Sequence, residues 1–200
     1  MSAGAQTRRG LLAAGTGTAL AVAVTACGGS LPDATPAEKH VVATGLPGGE
    51  LASMNGALVV EYAQLSAYRA LARSSLISGS LRQEIASYAT IEAEHVAALR
   101  ALVRRLGGKP AAPSPHPIPL TSRDVALRRC QELEEIAGGM WTWFAQRATG
   151  FEVRTATCSV MGVEVRQLNA LRAALGRPVT AQAPPPVSVS RAVSRVNAMA

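Results

Sequence analysis

The chain has 200 residues, of which 48% are hydrophobic and 16% are charged, and its formal net charge is +7. This composition excludes a disordered chain and indicates one compact domain with flanking segments. Aromatic residues are few, so helices packed through aliphatic and small side chains are favoured over a β fold. The arginines are scattered without interleaved aromatic residues, which is a poor match to a nucleic-acid surface, and we expect no nucleic-acid partner.

The N-terminus has the pattern of an export signal. Arg8 and Arg9 precede an apolar run at residues 11–26 that contains no acidic residue and is short for a membrane-spanning helix. The arginine pair resembles a twin-arginine leader, and the Val-Thr-Ala-Cys sequence that ends at Cys27 resembles a bacterial lipobox. We predict a signal peptide at residues 1–26 and a lipidated Cys27 that anchors the protein to the outer face of the bacterial cell membrane. An ordinary cleaved signal or an N-terminal anchor helix is the alternative.

A tether and a first helix follow. Residues 27–49 are rich in Gly and Pro and predict a flexible tether. From Leu51 to Ala72, apolar residues recur at alternating steps of three and four, a spacing that predicts a helix packed in a bundle. Glu61 is the only charged residue on this apolar stripe, and Tyr68 also lies on it.

Residues 81–106 repeat the same spacing and predict the second helix. Its stripe contains Tyr88, Glu92 and His95. Because Glu92 and His95 are three residues apart, their side chains share one face of the helix.

The segment after the second helix predicts a long crossover. Gly107 and Gly108 end the helix, and the closely spaced prolines that follow cannot be helical. About fifteen residues of extended chain can span roughly 45 to 50 Å, which exceeds the length of a helix of about 25 residues. The connection between the second and third helices can therefore run the full length of the bundle.

Two more helices are predicted after the crossover. The stripe at residues 127–148 predicts the third helix and contains Glu134, as well as Trp141, which we assign to core packing. The stripe at residues 153–174 predicts the fourth helix and contains Glu164 and Gln167.

The remaining chain and its cysteines complete the prediction. Residues 177–200, with a Pro-Pro-Pro run, are expected to form a loose tail. The axial separation expected for Cys130 and Cys158 makes a disulfide doubtful, and we predict two buried thiols.

The glutamates of the four stripes are in register. Glu61 and Glu92 are equidistant from the first interhelical loop, and Glu134 and Glu164 are equidistant from the turn near Gly150. Residues equidistant from the turn of an antiparallel hairpin lie side by side. Carboxylates are rarely buried unless they are paired or bound to a cation, so four of them at one level of a core predict a metal site.

This layout resembles the ferritin-like superfamily over residues 51–176. The resemblance implies an all-α, antiparallel four-helix bundle with a long crossover between helices 2 and 3. In that superfamily, two Glu-x-x-His motifs and two lone glutamates hold two iron or manganese ions. The resemblance implies ligand roles for a set of six residues: Glu61, Glu92, His95, Glu134, Glu164 and Gln167.

Gln167 departs from the superfamily pattern, because it offers a neutral amide oxygen where the pattern has an imidazole. Two bound ions, one ion and no ion are therefore all left open. Tyr68 and Tyr88 are expected near the site as redox or hydrogen-bonding groups.

Two functions follow from these predictions. The first is an exported, lipid-anchored metal-binding protein that oxidises ferrous iron or carries out another redox reaction. The second is a metal-free helical scaffold or binding module of the cell envelope, in which the glutamates share protons and hydrogen bonds with neighbouring side chains. Beyond the membrane, reached through Cys27, the protein partner is unknown and a homodimer is left open.

Overall fold

The computed structural model describes residues 49–113, 117, 119–180 and 182–199. The predicted signal peptide, Cys27 and the tether up to residue 48 lie outside this part of the chain. Five helices and no strand occur in the described residues, and they are α1 (Gly49–Arg73), α2 (Gly79–Arg105), α3 (Arg123–Ala145), α4 (Phe151–Ala174) and α5 (Val189–Asn197). In the described ranges, no helix combines the length and the apolar character needed to cross a membrane.

The first four helices form the predicted bundle. Helix α1 packs along α2, and α3 packs along α4, so each consecutive pair is a helical hairpin. The hairpins face each other through contacts of α1 with α3 and of α2 with α4. The all-α fold and the two hairpins confirm the prediction from the apolar stripes.

Hydrogen bonds from side chains of α1 hold the first residues of the crossover. Asn55 accepts a hydrogen bond from the backbone N–H of Ala111 (2.7 Å) and donates one to the carbonyl of Lys109 (3.2 Å). The Tyr62 hydroxyl donates to the carbonyl of Ala111 (3.2 Å). At the far end of the crossover, the Ser122 hydroxyl caps α3 by accepting from the backbone N–H of Val125. Polar side chains therefore satisfy backbone groups at both ends of the crossover.

A carboxylate joins the start of α1 to the turn between α3 and α4. Glu50 Oε1 accepts hydrogen bonds from the backbone N–H groups of Thr149 (3.0 Å) and Gly150 (2.7 Å), and from the Thr149 hydroxyl (3.1 Å). Ionised acceptors make stronger hydrogen bonds than neutral ones. This contact ties the turn of the second hairpin to the start of the first helix.

The prediction of a loose tail at residues 177–200 is wrong for residues 189–197, which form a packed helix. Helix α5 packs on α1 and α3, and its Val189, Ala192 and Val196 are buried. These three residues are separated by steps of three and four, which gives the short helix one apolar face. Its N-terminus is capped by the Ser188 hydroxyl, which accepts from the backbone N–H of Arg191.

The segment before α5, which contains the Pro-Pro-Pro run, crosses α3 at two glycines. The backbone N–H of Val187 donates to the carbonyl of Gly139 (2.9 Å). A Cβ atom at Gly139 would lie 2.6 Å from the carbonyl oxygen of Pro185, and one at Gly138 would lie 3.0 Å from Pro184 Cγ. The absence of side chains at these two positions lets the segment approach the helix backbone.

The two cysteines in the described chain are free thiols, as expected, but they differ in exposure. Cys130 is buried and Cys158 is exposed. The prediction of two buried thiols is therefore wrong for Cys158, which follows the core residue Thr157 on α4 and points off the buried stripe.

Candidate metal site

Three helices of the bundle bring four potential ligands together. One ligand atom from each of Glu61 on α1, Glu92 and His95 on α2, and Glu164 on α4 lies within 4.8 Å of the others. The three carboxylates are completely buried and the imidazole nearly so. The group contains Glu61 and Glu92, the pair that the first hairpin was predicted to align, together with Glu164 from the second hairpin.

His95 lies at the centre of this group. Its Nδ1 atom is 3.2 Å from Glu61 Oε2, 3.2 Å from Glu92 Oε2 and 3.4 Å from Glu164 Oε1. Burial alone would lower the pKa of His95, but its hydrogen bonds to the three carboxylates outweigh burial and raise the pKa far above its ordinary value. Every Arg and Lys of the described chain is at least partly exposed. His95 is therefore the only basic side chain inside this cluster.

Three carboxylates of the site have raised pKa values, so they hold protons more tightly than exposed carboxylates do. Burial raises the pKa of Glu61 and Glu92, and the charge of Glu164 raises both further. The same two causes raise the pKa of Glu134. A divalent cation could replace these protons, because it would compensate the same negative charge.

Glu134, on α3, stands beside the four-residue cluster. The Tyr68 hydroxyl donates a short hydrogen bond to Glu134 Oε1, and Glu134 Oε2 has no hydrogen-bond partner. The charges of Glu164 and Glu92 both act on Glu134, so it faces the same interior. Its second oxygen is free to face a cation.

Gln167 is buried on the same face of α4 as Glu164, as predicted. Neither its amide nitrogen nor its amide oxygen has a hydrogen-bond partner. Leaving a buried polar atom without a partner costs about 1 to 3 kcal/mol. No hydrogen bond within the described residues therefore explains why the Gln167 amide is buried.

Two residues with a role at the site were missed in the sequence. Gln64 is completely buried, and its Nε2 donates to Glu164 Oε2 (2.6 Å). Trp141, which we assigned to packing, donates from its indole N–H to Glu61 Oε1 (2.8 Å). A signal for Gln64 was present, because it follows Glu61 by three residues, the same spacing as in Glu92 and His95.

The two tyrosines expected near the site occupy different positions. Tyr68 contacts the ligand candidate Glu134 directly. Tyr88 instead packs against Tyr68, with ring centroids 5.5 Å apart, and its hydroxyl donates to Glu84 Oε1 (2.6 Å). Of these two tyrosines, only Tyr68 therefore contacts one of the six predicted ligands.

The donor atoms fit a metal ion. Besides Gln167, three residues of the site have a buried oxygen without a hydrogen-bond partner, and these oxygens are Glu92 Oε1, Glu134 Oε2 and Gln64 Oε1. Buried polar atoms are normally satisfied, so oxygens that converge without partners indicate a place for a cation. A mixed set of carboxylates and one imidazole suits iron or manganese.

A family model described as a ferritin-like domain matches residues 49–177. The match begins with α1 and ends just after α4, so it covers the four-helix bundle and excludes α5. No curated protein matches the chain.

Proposed function

The chain belongs to the ferritin-like domain family, and on that premise we propose that its buried carboxylate–histidine cluster binds iron or manganese and supports redox chemistry there. The observation that carries the proposal is the convergence of Glu61, Glu92, His95 and Glu164 within 4.8 Å in a fully buried setting. We assign a first ion to these four residues. Glu134 and Gln167 would contribute to a second.

Neighbouring side chains already restrict how the ligands can bind. Glu61 Oε1 accepts from Trp141, so a cation would bind Glu61 Oε2 in place of its present bond to His95 Nδ1. Glu164 Oε2 accepts from Gln64, so a cation would bind Glu164 Oε1, which now lies 3.4 Å from His95 Nδ1. Fixing one oxygen of each carboxylate orients the other, as partners behind metal ligands commonly do. A bound iron ion would supply one-electron chemistry, with oxidation of ferrous iron as the reaction class.

Metal analysis of the full-length chain tests this proposal. After anaerobic exposure to ferrous iron or Mn²⁺ and removal of free metal, we expect at least about one ion per chain, given the bundle sites of this architecture. Glu92→Gln should lose most of this metal. Glu94→Gln is the matched control, because Glu94 is exposed on the same helix. Less than about a tenth of an ion per chain would contradict the metal proposal.

Gln167 provides a test with the opposite sign. Gln167→His restores the imidazole that the superfamily pattern has at this position and should raise metal uptake. Unchanged uptake would show that Gln167 does not face a cation.

The second candidate is a metal-free scaffold or binding module of the cell envelope. It is favoured by Gln167 and by the internal bonds that His95, Tyr68 and Trp141 already make to the carboxylates. In that case the metal analysis gives no bound ion, while Glu92→Gln still lowers the stability of the bundle because it disturbs a hydrogen-bonded core.

We also propose that the protein is exported and anchored to the outer face of the bacterial membrane through a lipidated Cys27. The support is the pattern of Arg8, Arg9, the apolar run and Cys27 in the sequence. In a bacterial host, Cys27→Ala should abolish incorporation of labelled palmitate and leave the protein unprocessed. Unchanged labelling in this variant would exclude Cys27 as the lipidation site, and a mature protein of unchanged mass would exclude its processing.

A further inference from the structure

Two exposed apolar side chains lie at the same end of the bundle. Phe151, the first residue of α4, is 83% exposed, and Leu106, the residue that follows α2, is 37% exposed. Their neighbours Glu152 and Arg105 form an ion pair (3.3 Å), which brings the two chain segments together. A single exposed apolar residue is ordinary, but exposed apolar side chains that share one end and have charged neighbours are typical of an interaction surface.

The same end of the bundle is basic. Arg104 and Lys109 are exposed and form no ion pair within the described residues. Two acidic residues at this end are already engaged, Glu50 by the turn between α3 and α4 and Glu152 by Arg105. The charge that remains on this surface is therefore positive, and it attracts anionic groups.

Helix α1 also begins at this end. A Cβ atom added at Gly108 would overlap Leu51, so the start of α1 lies beside the end of α2. Cys27 precedes Gly49 by 22 residues, and a flexible chain of that length has an average end-to-end distance of roughly 23 to 28 Å. Helix α1 has 25 residues and is about 38 Å long. A membrane anchor at Cys27 would therefore keep this end of the bundle nearer to the lipid than the opposite end.

We propose that this end of the bundle docks on the anionic phospholipid surface of the membrane, where Phe151 and Leu106 enter the headgroup layer and Arg104 and Lys109 bind lipid phosphates. The argument from distance rests on the proposed anchoring through Cys27, whereas the arguments from exposure and charge do not. Apolar side chains leave water at the boundary of the acyl chains, and arginine and lysine extend their charged groups to the phosphates. Docking by one end directs the helix axes away from the membrane.

The opposite end of the bundle supplies an internal control. Arg69 and Arg73, at the end of α1, are exposed. Val179 is 63% exposed and lies near the end of α4, because the side chain of Asn169 bonds to both backbone groups of Thr180. Positive charge and an exposed aliphatic side chain therefore occur at both ends. The aromatic ring and the position of the tether distinguish the end at which α1 begins.

Tryptophan substitution tests which end meets the lipid. The full-length chain is reconstituted into vesicles of phosphatidylglycerol and brominated phosphatidylcholine, whose bromine atoms quench indoles that enter the bilayer. Trp141 and Trp143 are buried and provide the unquenched baseline. We expect strong quenching and a blue-shifted emission in the Phe151→Trp variant, and neither of these in the matched Val179→Trp variant.

Charge substitutions test the contribution of the basic residues. In the Phe151→Trp background, Arg104→Gln combined with Lys109→Gln should lower the docking constant measured from quenching by roughly thirtyfold, since each basic residue near an anionic bilayer contributes a factor of about five. Arg69→Gln combined with Arg73→Gln removes the same charge from the opposite end and should leave the quenching unchanged. High salt should also release the docked bundle.

Flotation with the vesicles separates docking from anchoring. If the Phe151→Trp variant floats with the vesicles but is not quenched, the docking proposal is overturned and the anchoring proposal is not. If it does not float at all, both are overturned. Quenching that persists after Cys27→Ala would support docking by the folded domain itself.

Other occupants of this surface give different results. Stronger quenching of the Val179→Trp variant would assign the lipid contact to the opposite end. A blue shift of the Phe151→Trp variant that grows with protein concentration in the absence of lipid would assign the surface to a second copy of the chain. A blue shift caused by soluble polyphosphate alone would assign it to an anionic polymer. Each of these three results would overturn the proposal.

Discussion

Replacing Gly139 by alanine tests whether the C-terminal segment stabilises the bundle. Gly139 lies inside α3, where an added Cβ would meet the carbonyl oxygen of Pro185 at 2.6 Å and Val187 Cγ2 at 3.0 Å. Because the first of these is a backbone atom, the segment itself must move. We therefore expect Gly139→Ala to detach this segment from α3 or to strain it.

The magnitude follows from three contributions. Alanine gains about 1 kcal/mol over glycine inside a helix, and overpacking a tight contact costs roughly 1 to 3 kcal/mol. Loss of the hydrogen bond from the Val187 N–H to the Gly139 carbonyl costs about 1 kcal/mol more. The expected net change is a loss of roughly 1 to 3 kcal/mol in the free energy of unfolding.

Gly162 supplies the matched control. It also lies inside a helix, but an added Cβ there would have no neighbour within 4 Å, so Gly162→Ala should stabilise the protein by roughly 0.5 to 1 kcal/mol. Urea unfolding of both variants measures the difference, and limited proteolysis should cut the segment around Pro185 faster in Gly139→Ala. Equal stabilisation by the two substitutions would refute the reasoning.

Three further predictions concern charge and reactivity. Glu50→Gln weakens the hydrogen bonds to the turn between α3 and α4, and it should lower the free energy of unfolding in urea by about 1 kcal/mol. An unchanged free energy would mean that water competes for this contact and that it does not stabilise the fold. Burial raises the pKa of Glu92 and Glu134 above 4.5, so the folded state keeps protons that the unfolded chain has released. The melting temperature of the chelator-treated protein should therefore fall between about pH 5 and pH 8. A rise over this range would contradict the raised pKa values. Burial raises the pKa of Cys130 to about 12, whereas Cys158 is exposed. Peptide mapping after iodoacetamide treatment should therefore find Cys158 modified in the folded protein and Cys130 only after unfolding; early modification of Cys130 would indicate that the core opens there.

The position of the site along the bundle axis was predictable, because residues equidistant from the turn of an antiparallel hairpin lie side by side. Once the turns were located, Glu61 had to lie beside Glu92, and Glu134 beside Glu164. The three-residue spacing placed His95 on the face of Glu92. Apolar stripes and turns were therefore sufficient for the four helices of the bundle and for the alignment of these side chains within each hairpin.

Contacts between hairpins were not predictable in the same way. The bond from Trp141 to Glu61 depends on the rotation of α3 against α1, which no one-dimensional pattern records. Helix α5 was missed because nine residues do not form a stable helix alone. Its helicity depends on docking against α1 and α3, and the sequence gives no direct signal for that surface.

The indole of Trp141 makes the site optically observable. Its N–H bonds to one oxygen of Glu61 while the other oxygen faces His95, so any change at the carboxylate is transmitted to a fluorophore in van der Waals range. The second tryptophan, Trp143, lies under the guanidinium of Arg147 and can be replaced by phenylalanine to leave a single emitter. If the proposed site binds an ion, Trp141 would act as a built-in fluorescent probe of it, and quenching in the intact protein would distinguish paramagnetic from diamagnetic ions.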